Sequence, residues 1–157
     1  MKDKNLNLLC VDSSGTTLAV AVMNDKEVLA SFNENTGLTH SCTLMPKIIE
    51  ILEKSGLTLS DIDYFVCVNG PGSFTGLRIG GAAMKALCHV QNKKMVAVST
   101  LDSLMHNVDE KNFEGLICPI IDARRKEVYA AIYDNGEKIL DDCGISLDEL
   151  LEIIKKI

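Results

Sequence analysis

The feature that most constrains the fold is a glycine-rich segment set between a short apolar strand and a helix. Tyr64-Phe65-Val66-Cys67-Val68 reads as a buried strand, Asn69-Gly70-Pro71-Gly72-Ser73-Phe74-Thr75-Gly76 as a turn, and the residues to about Gln91 as a helix. That helix is small-sided. Gly76, Gly80, Gly81, Ala82, Ala83 and Ala86 are interleaved with Leu77, Ile79, Met84, Leu87 and Cys88, and only Arg78, Lys85 and His89 form a polar stripe. A glycine inside a helix costs about 1 kcal/mol relative to alanine. The adjacent Gly80 and Gly81 therefore need a reason, and close helix packing supplies one. A helix this apolar is expected to be covered on most sides.

The flanking periodicities give the rest of the frame. Leu6–Asp12, Thr16–Met23 and Lys26–Phe32 read as three strands joined by tight turns at Ser13-Ser14-Gly15 and Asn24-Asp25, an antiparallel meander. A helix opens at Thr39 or His40 and closes at Ser55-Gly56. Its apolar residues fall in two stripes, Cys42-Met45-Ile49-Leu52 and Leu44-Ile48-Ile51. Together they span roughly half the circumference, whereas one buried face needs an arc of little over about 100°. The second stripe, Leu44, Ile48 and Ile51, is expected to be free for a partner.

Met95–Val98 is a further strand, Ser99 caps a short helix to about Asn107, and Val108–Gly115 reads as a polar linker. Leu116–Ile121 and Glu127–Tyr133 are strands on either side of a charged turn, Asp122–Lys126; Asn135-Gly136 marks a hairpin turn. Ser146–Ile157 is an amphipathic helix, with Ser146 and Glu149 placed for a capping box. The order predicts an α/β protein: a lobe over 1–108 with a mixed five-stranded sheet and helices on both faces, and a short second lobe over 109–157. The second hairpin looks like the start of a repeat of the first.

Composition narrows the functional classes. The 157 residues carry a net charge of −6, so the broad basic footprint of a nucleic-acid binder is absent, and any service to RNA is expected to run through a partner. No stretch approaches the roughly 18 apolar residues of a membrane span. The short apolar run behind the N-terminus contains Asp12 and does not read as a signal peptide. The six cysteines show no C-x-x-C pair and sit mostly in apolar periodic segments, which suits a reduced, cytoplasmic protein.

Several residues are candidates for chemistry. A strand, a glycine-rich turn and a helix start place N–H groups around one point, a geometry that suits an anion. The segment is neither a P-loop, since Leu77-Arg78 follow Gly76, nor a dinucleotide fingerprint. A tight turn that lets the helix approach the sheet is the plainer reading. Asp12-Ser13-Ser14-Gly15-Thr16-Thr17 could hold a phosphate or a magnesium-bound water, or be an ordinary polar turn. Asp12, Ser14, Gly72 and Ser73 are thus the cofactor-binding candidates, each a weak one. His40, His89 and His106 have no metal-ligand spacing, and no G-x-S-x-G elbow is present. Arg78, Lys85 and His89, with Arg124, Arg125 and Lys126, are either solvated faces or a protein interface.

These residues carry a resemblance. Gly70–Gly80, GPGSFTGLRIG, is highly specific. Weaker support comes from Asp12 with Ser14, His40-Ser41 ahead of Leu44 and Pro46, Ser99 with Leu101, and Asp122-Ala123-Arg124 with Glu127-Val128-Tyr129. In that order, over residues 6–133, they resemble the TsaB (YeaZ) family of bacterial tRNA threonylcarbamoyladenosine biosynthesis proteins. The resemblance implies an actin-like, RNase-H-like fold of two similar lobes. It also implies a non-catalytic scaffold subunit that binds the paralogue TsaD, which transfers the group to tRNA, with the ATPase TsaE joining the pair. No catalytic residue and no metal of its own is expected, and tRNA is met only through the complex. Alternatives are an actin-like weak ATPase, a metal-dependent peptidase-like enzyme, or a homodimeric binding protein. The family's contact surface lies on the helices here at 40–55 and 75–91, which implies an interface at Leu44, Ile48, Ile51, Arg78, Ala82 and Lys85, used for a homodimer or for the paralogue. Family members carry a fuller second lobe. ATP or ADP is therefore expected only at a joint interface, and the TsaE contact of that lobe is left open.

Overall fold

A computed structural model describes residues 5–35, 37, 39–108 and 114–157. They divide into two compact units, Met1–Val98 and Ser99–Ile157.

The first unit is built on β1 (Asn7–Asp12), β2 (Thr17–Asn24), β3 (Val28–Asn35), β4 (Tyr64–Val68) and β5 (Lys94–Val98), in the order β3-β2-β1-β4-β5. The β1–β2 and β2–β3 pairs are antiparallel; β1–β4 and β4–β5 are parallel. Alternation sets one face: Leu9 and Val11 on β1 lie in register with Val22 and Val20 on β2, and with Phe65 and Cys67 on β4. All six are buried in one core cluster. Helices α1 (His40–Ser55) and α2 (Phe74–Val90) close that core with Leu44, Ile48, Ile51, Leu52, Met84 and Cys88. At about 25 cal/mol per Å² of apolar surface removed from water, this interdigitation is what holds the lobe together. Both helices lie on the same face. Among the described residues of this unit neither helix covers the other face, where Leu8, Cys10, Ala21 and Met23 are half-buried. Gly56 ends α1 in the left-handed conformation (φ 70°) and returns its N–H to Leu52 and Glu53. A 3₁₀ turn at Leu59–Asp61, with a Thr58 and Asp61 capping box, leads into β4 and has no signal in the periodicity.

The second unit opens with α3 (Thr100–Met105), followed by β6 (Leu116–Ile117), β7 (Ile120–Arg124), β8 (Glu127–Asp134), β9 (Glu137–Ser146) and α4 (Leu147–Ile154). All strand pairs are antiparallel. β6 and β7 follow one another along one side of β8, and β9 lines the other. The single strand expected over Leu116–Ile121 is therefore interrupted, at Cys118-Pro119, because a proline has no N–H to give a ladder. The interrupted strand, β8, β9 and α4 repeat the β-β-β-α order of β1, β2, β3 and α1. α4 carries the expected capping box, with the Ser146 hydroxyl accepting from Glu149 N–H.

The contact boundary falls after Val98, earlier than the 108/109 boundary that the polar stretch suggests, because α3 buries Leu101 and Met105 against Ile117, Ala131 and Tyr133. Most of the expected linker, residues 109–113, lies outside the described residues. A side-chain brace fixes α3 to the hairpin: the Tyr133 hydroxyl donates to Asp102, and the Lys138 ammonium lies 2.5 Å from Asp102 and 2.7 Å from Asp142. Burial, and then the Asp102 carboxylate, push the Tyr133 phenol up to about 12.

The two hairpin turns of this unit contrast. Asn135 (φ 47°) and Gly136 (φ 81°) are a residue pair that turns with two positive φ values favour. The β7–β8 turn instead places Arg124 (φ 68°), Arg125 (φ 53°) and Lys126 (φ 67°) consecutively in the left-handed region. That conformation costs a non-glycine residue roughly 1–2 kcal/mol.

Candidate functional site

The glycine-rich segment and the Ser13-Ser14 turn come together, and their chemistry is spent on each other. Ser73 N–H donates to the Ser14 carbonyl at 2.6 Å, and the Ser13 hydroxyl donates to the Gly76 carbonyl at 2.8 Å. Asp12 Oδ1 accepts Ser14 N–H at 2.7 Å. His40 Nε2–H reaches the Gly15 carbonyl at 2.7 Å from the first turn of α1. Ser13, Ser14 and His40 are all buried.

The glycine spacing records this approach. A Cβ on Gly72 would stand 2.6 Å from the Ser14 carbonyl oxygen, one on Gly76 1.9 Å from that of Ser13, and one on Gly80 2.3 Å from the Ser13 hydroxyl. Gly76 and Gly80, four apart, stack on one face of α2, and Gly72 precedes its N-cap Ser73, so glycines at all three positions let the turn lie against the loop and the helix. The four weak cofactor candidates, Asp12, Ser14, Gly72 and Ser73, are thus brought together. The Ser14 carbonyl, the Ser73 N–H and one Asp12 carboxylate oxygen serve the packing of the turn on the helix. Gly81 has nothing within 4 Å of its would-be Cβ, so close packing inside this lobe accounts for Gly80 and not for Gly81.

Two thiols of this sheet, Cys67 beside Gly80 and Cys10 on the other face, are poor nucleophiles. Burial pushes Cys10 up to about 11, and burial followed by the Asp12 charge does the same to Cys67, so both stay protonated at neutral pH. Among the described residues no three His, Cys, Asp or Glu side chains gather as a metal site would need.

The expected interface divides. Leu44, Ile48 and Ile51 are at most 1% exposed and belong to the core of the first lobe, so they cannot meet a partner. This corrects the assignment of the α1 stripes. The stripe that reaches solvent is the other one: Met45 is 39% and Ile49 54% exposed, and Cys42 is open beside them. The α2 part of the set, Arg78, Ala82 and Lys85, is exposed. Only the row Gly76, Gly80, Met84 and Cys88 of α2 is buried, so this lobe covers one side of a helix expected to be covered on most. Phe74 is 67% exposed and carries the Arg78 guanidinium 3.7 Å above its ring. Ala82, Lys85, Ala86 and His89 continue into a groove of about 860 Å³, floored by Cys88 and closed by Asn92, Lys93 and Met95. α1 and α2 pack against each other, and each turns apolar residues to solvent, with the cations Arg78 and Lys85 on α2. Phe74, Met45 and Ile49 were missed as exposed residues; their apolar character was legible, their direction was not.

Comparison with known proteins places this arrangement. Residues 17–155 match the family model described as "TsaD: tRNA N6-adenosine threonylcarbamoyltransferase". The chain is 34% identical over 155 residues to the tRNA threonylcarbamoyladenosine biosynthesis protein TsaB of Bacillus subtilis, covering 96% of this chain and 67% of that protein. It is 36% identical over 132 residues to TsaB of Escherichia coli, covering 84% of this chain and 57% of that protein. The chain thus spans between a little over half and two thirds of the length of these relatives. Among solved structures, YeaZ from Pseudomonas aeruginosa superposes with a TM-score of 0.78 at 29% identity, over 89% of this chain and 66% of that one. The mixed five-stranded sheet is the actin-like α/β fold of that structure, and the chain belongs to the TsaB (YeaZ) family.

Proposed function

We propose that this chain is a non-catalytic subunit in the making of threonylcarbamoyladenosine on tRNA, and that it docks through the open sides of α1 and α2. The observation that carries the reading is the exposed surface of Met45, Ile49, Phe74, Arg78, Ala82 and Lys85, on a lobe whose core is complete without them. Apolar groups at the centre with an arginine at the edge are the composition of a protein contact. Gly81 and Ala82 on the same side would let a partner helix come close. The partner proposed is the paralogue TsaD, with TsaE joining the pair and tRNA entering through the assembly. A second copy of this chain occupies the same surface in isolation. The engagement of Asp12, Ser14 and Ser73 within the fold favours this reading over a stand-alone ATPase, and any nucleotide is assigned to a joint interface.

The test is association. The chain is mixed with TsaD from the same source, and the mass of the complex is determined by light scattering after size exclusion. A 1:1 pair is expected, lost in Ala82→Arg and weakened by about tenfold or more in Ile49→Asp, since a charge is then buried at the contact. A pair that survives both substitutions contradicts the proposed surface; no pair with the unmodified chain contradicts the reading.

A further inference from the structure

We infer that the β7–β8 turn, Arg124-Arg125-Lys126, is a contact for the phosphate backbone of RNA. The inference rests on the reading that this chain serves tRNA within an assembly, and adds that the chain touches the RNA itself.

Three observations converge on the turn. First, its backbone is held against preference. Arg124 pairs with Glu127 across the strand ends, so Arg125 and Lys126 are the central residues of a tight hairpin, and both have positive φ. Such a turn is best made by Asn-Gly, which the same unit uses at Asn135-Gly136. A strained conformation kept by bulky residues is a reason to look for a role. Second, the three cations are exposed and, among the described residues, have no salt bridge, a property they share with Lys26, Arg78, Lys85, Lys94 and Lys156 but here concentrate in three successive residues. In a chain of 16 basic and 22 acidic residues, Lys47, Lys54, Lys93, Lys138 and Lys155 each lie against a carboxylate. No salt bridge of Arg124, Arg125 or Lys126 occurs among the described residues, although Asp122 and Glu127 flank them. Asp122 Oδ1 is turned to the Arg124 N–H at 2.7 Å, where it braces the turn. Third, the tip is anchored: the Lys126 carbonyl accepts Leu147 N–H at the start of α4, and β8 pairs with β9 from Glu127 onward.

The shape of the tip selects the occupant. All three side chains at the turn are cations, with no aromatic or aliphatic anchor among them, so the turn lacks the apolar centre of a protein contact. Successive cations on a narrow, anchored tip suit successive phosphates, which arginine takes in bidentate fashion. A single tip is a small site. It adds to an assembly's hold on RNA without making this acidic chain a strong binder alone, which reconciles it with the net charge of −6.

The experiment replaces the turn by the pair that its backbone prefers. The full chain and its Arg125→Asn/Lys126→Gly variant are titrated against a fluorescently labelled transcript of a tRNA that reads a codon beginning with A, at several salt concentrations. The control Lys26→Gln/Lys156→Gln removes two exposed cations elsewhere. The turn variant is expected to melt about 3–6 °C higher, since strain is relieved, and to bind RNA about tenfold more weakly. Its log K against log salt should flatten by about 2, one for each lost phosphate contact. The control should bind within about twofold of the parent. Equal weakening in the control, unchanged RNA binding in the turn variant, or no rise in melting temperature each overturns the inference. So does loss of the pair with TsaD in the turn variant while RNA binding persists, which would assign the tip to an acidic protein surface. Because the titration uses the chain alone and reads RNA directly, it stands or falls separately from the association experiment.

Discussion

Two turns hold the same place in the two halves of the chain and meet opposite fates. Each joins the first two strands of a β-β-β-α run, and each opens with an aspartate whose Oδ1 accepts the N–H two residues on, at 2.7 Å in both. After Asp12 the chain places Ser13 and Ser14, buried beside the glycine loop and the start of α2, and then Gly15, whose carbonyl is held by His40 of α1. After Asp122 and the half-buried Ala123 it places Arg124, Arg125 and Lys126, which stand in solvent with left-handed backbones. The local chemistry is the same; what differs is whether the side chains of the turn are covered. Where a helix covers them, sequence is selected for smallness on both sides of the contact. Where the neighbouring element, α4, meets the turn through the Leu147 N–H on the Lys126 carbonyl and leaves the side chains exposed, the turn can keep bulky charged residues in conformations that cost stability.

The comparison is broken most forcefully at Gly76. Gly76→Ala is expected to destabilise the first lobe by about 3 kcal/mol, because the new Cβ meets backbone and cannot be evaded by a rotamer change; urea denaturation followed by circular dichroism reads the loss. His40→Ala should cost about 2 kcal/mol in the same assay, by opening a cavity and leaving the Gly15 carbonyl without its donor. At the second turn the sign reverses: Arg125→Asn with Lys126→Gly is expected to gain about 1–2 kcal/mol. The smallest effect sharpens the contrast within α2. Gly81→Ala should stabilise the isolated chain by about 1 kcal/mol, since its Cβ meets nothing, whereas Gly80→Ala should destabilise it. A loss at Gly81 equal to that at Gly80 would mean that the two glycines are not divided between core and surface.

Much of this was legible before the structure. The apolar runs of β1, β2 and β4, the alternation over Lys26–Phe32 and the turn residues between the first three strands were enough for the meander and the parallel crossover. The spacing of Gly76 and Gly80, four apart in the helix, was a readable signal of one face of close approach. Direction was not readable. The apolar arc of α1 is wide enough for two faces, and nothing local says which of Leu44-Ile48-Ile51 or Met45-Ile49 turns inward; the β2 and β3 side chains packed beneath decide it. His40 was legible as a helix start and as part of the resemblance, but its bracing role was not, since its partner is a carbonyl 25 residues away in sequence. β9 was hard to read because Asp141, Asp142 and Gly144 break the alternation; the structure absorbs Asp141 and Asp142 with a register shift against β8, while Gly144 pairs in register with Tyr129. The unit boundary was drawn from polarity, whereas Leu101 and Met105 set it by burial.

The most direct test of the account is hydrogen–deuterium exchange of the chain alone and with TsaD. The account predicts slowed exchange on association in peptides covering residues 40–55 and 74–90, with the strands beneath them unchanged. Slowed exchange confined to residues 120–130, or a pair that forms without protecting either helix, would contradict it.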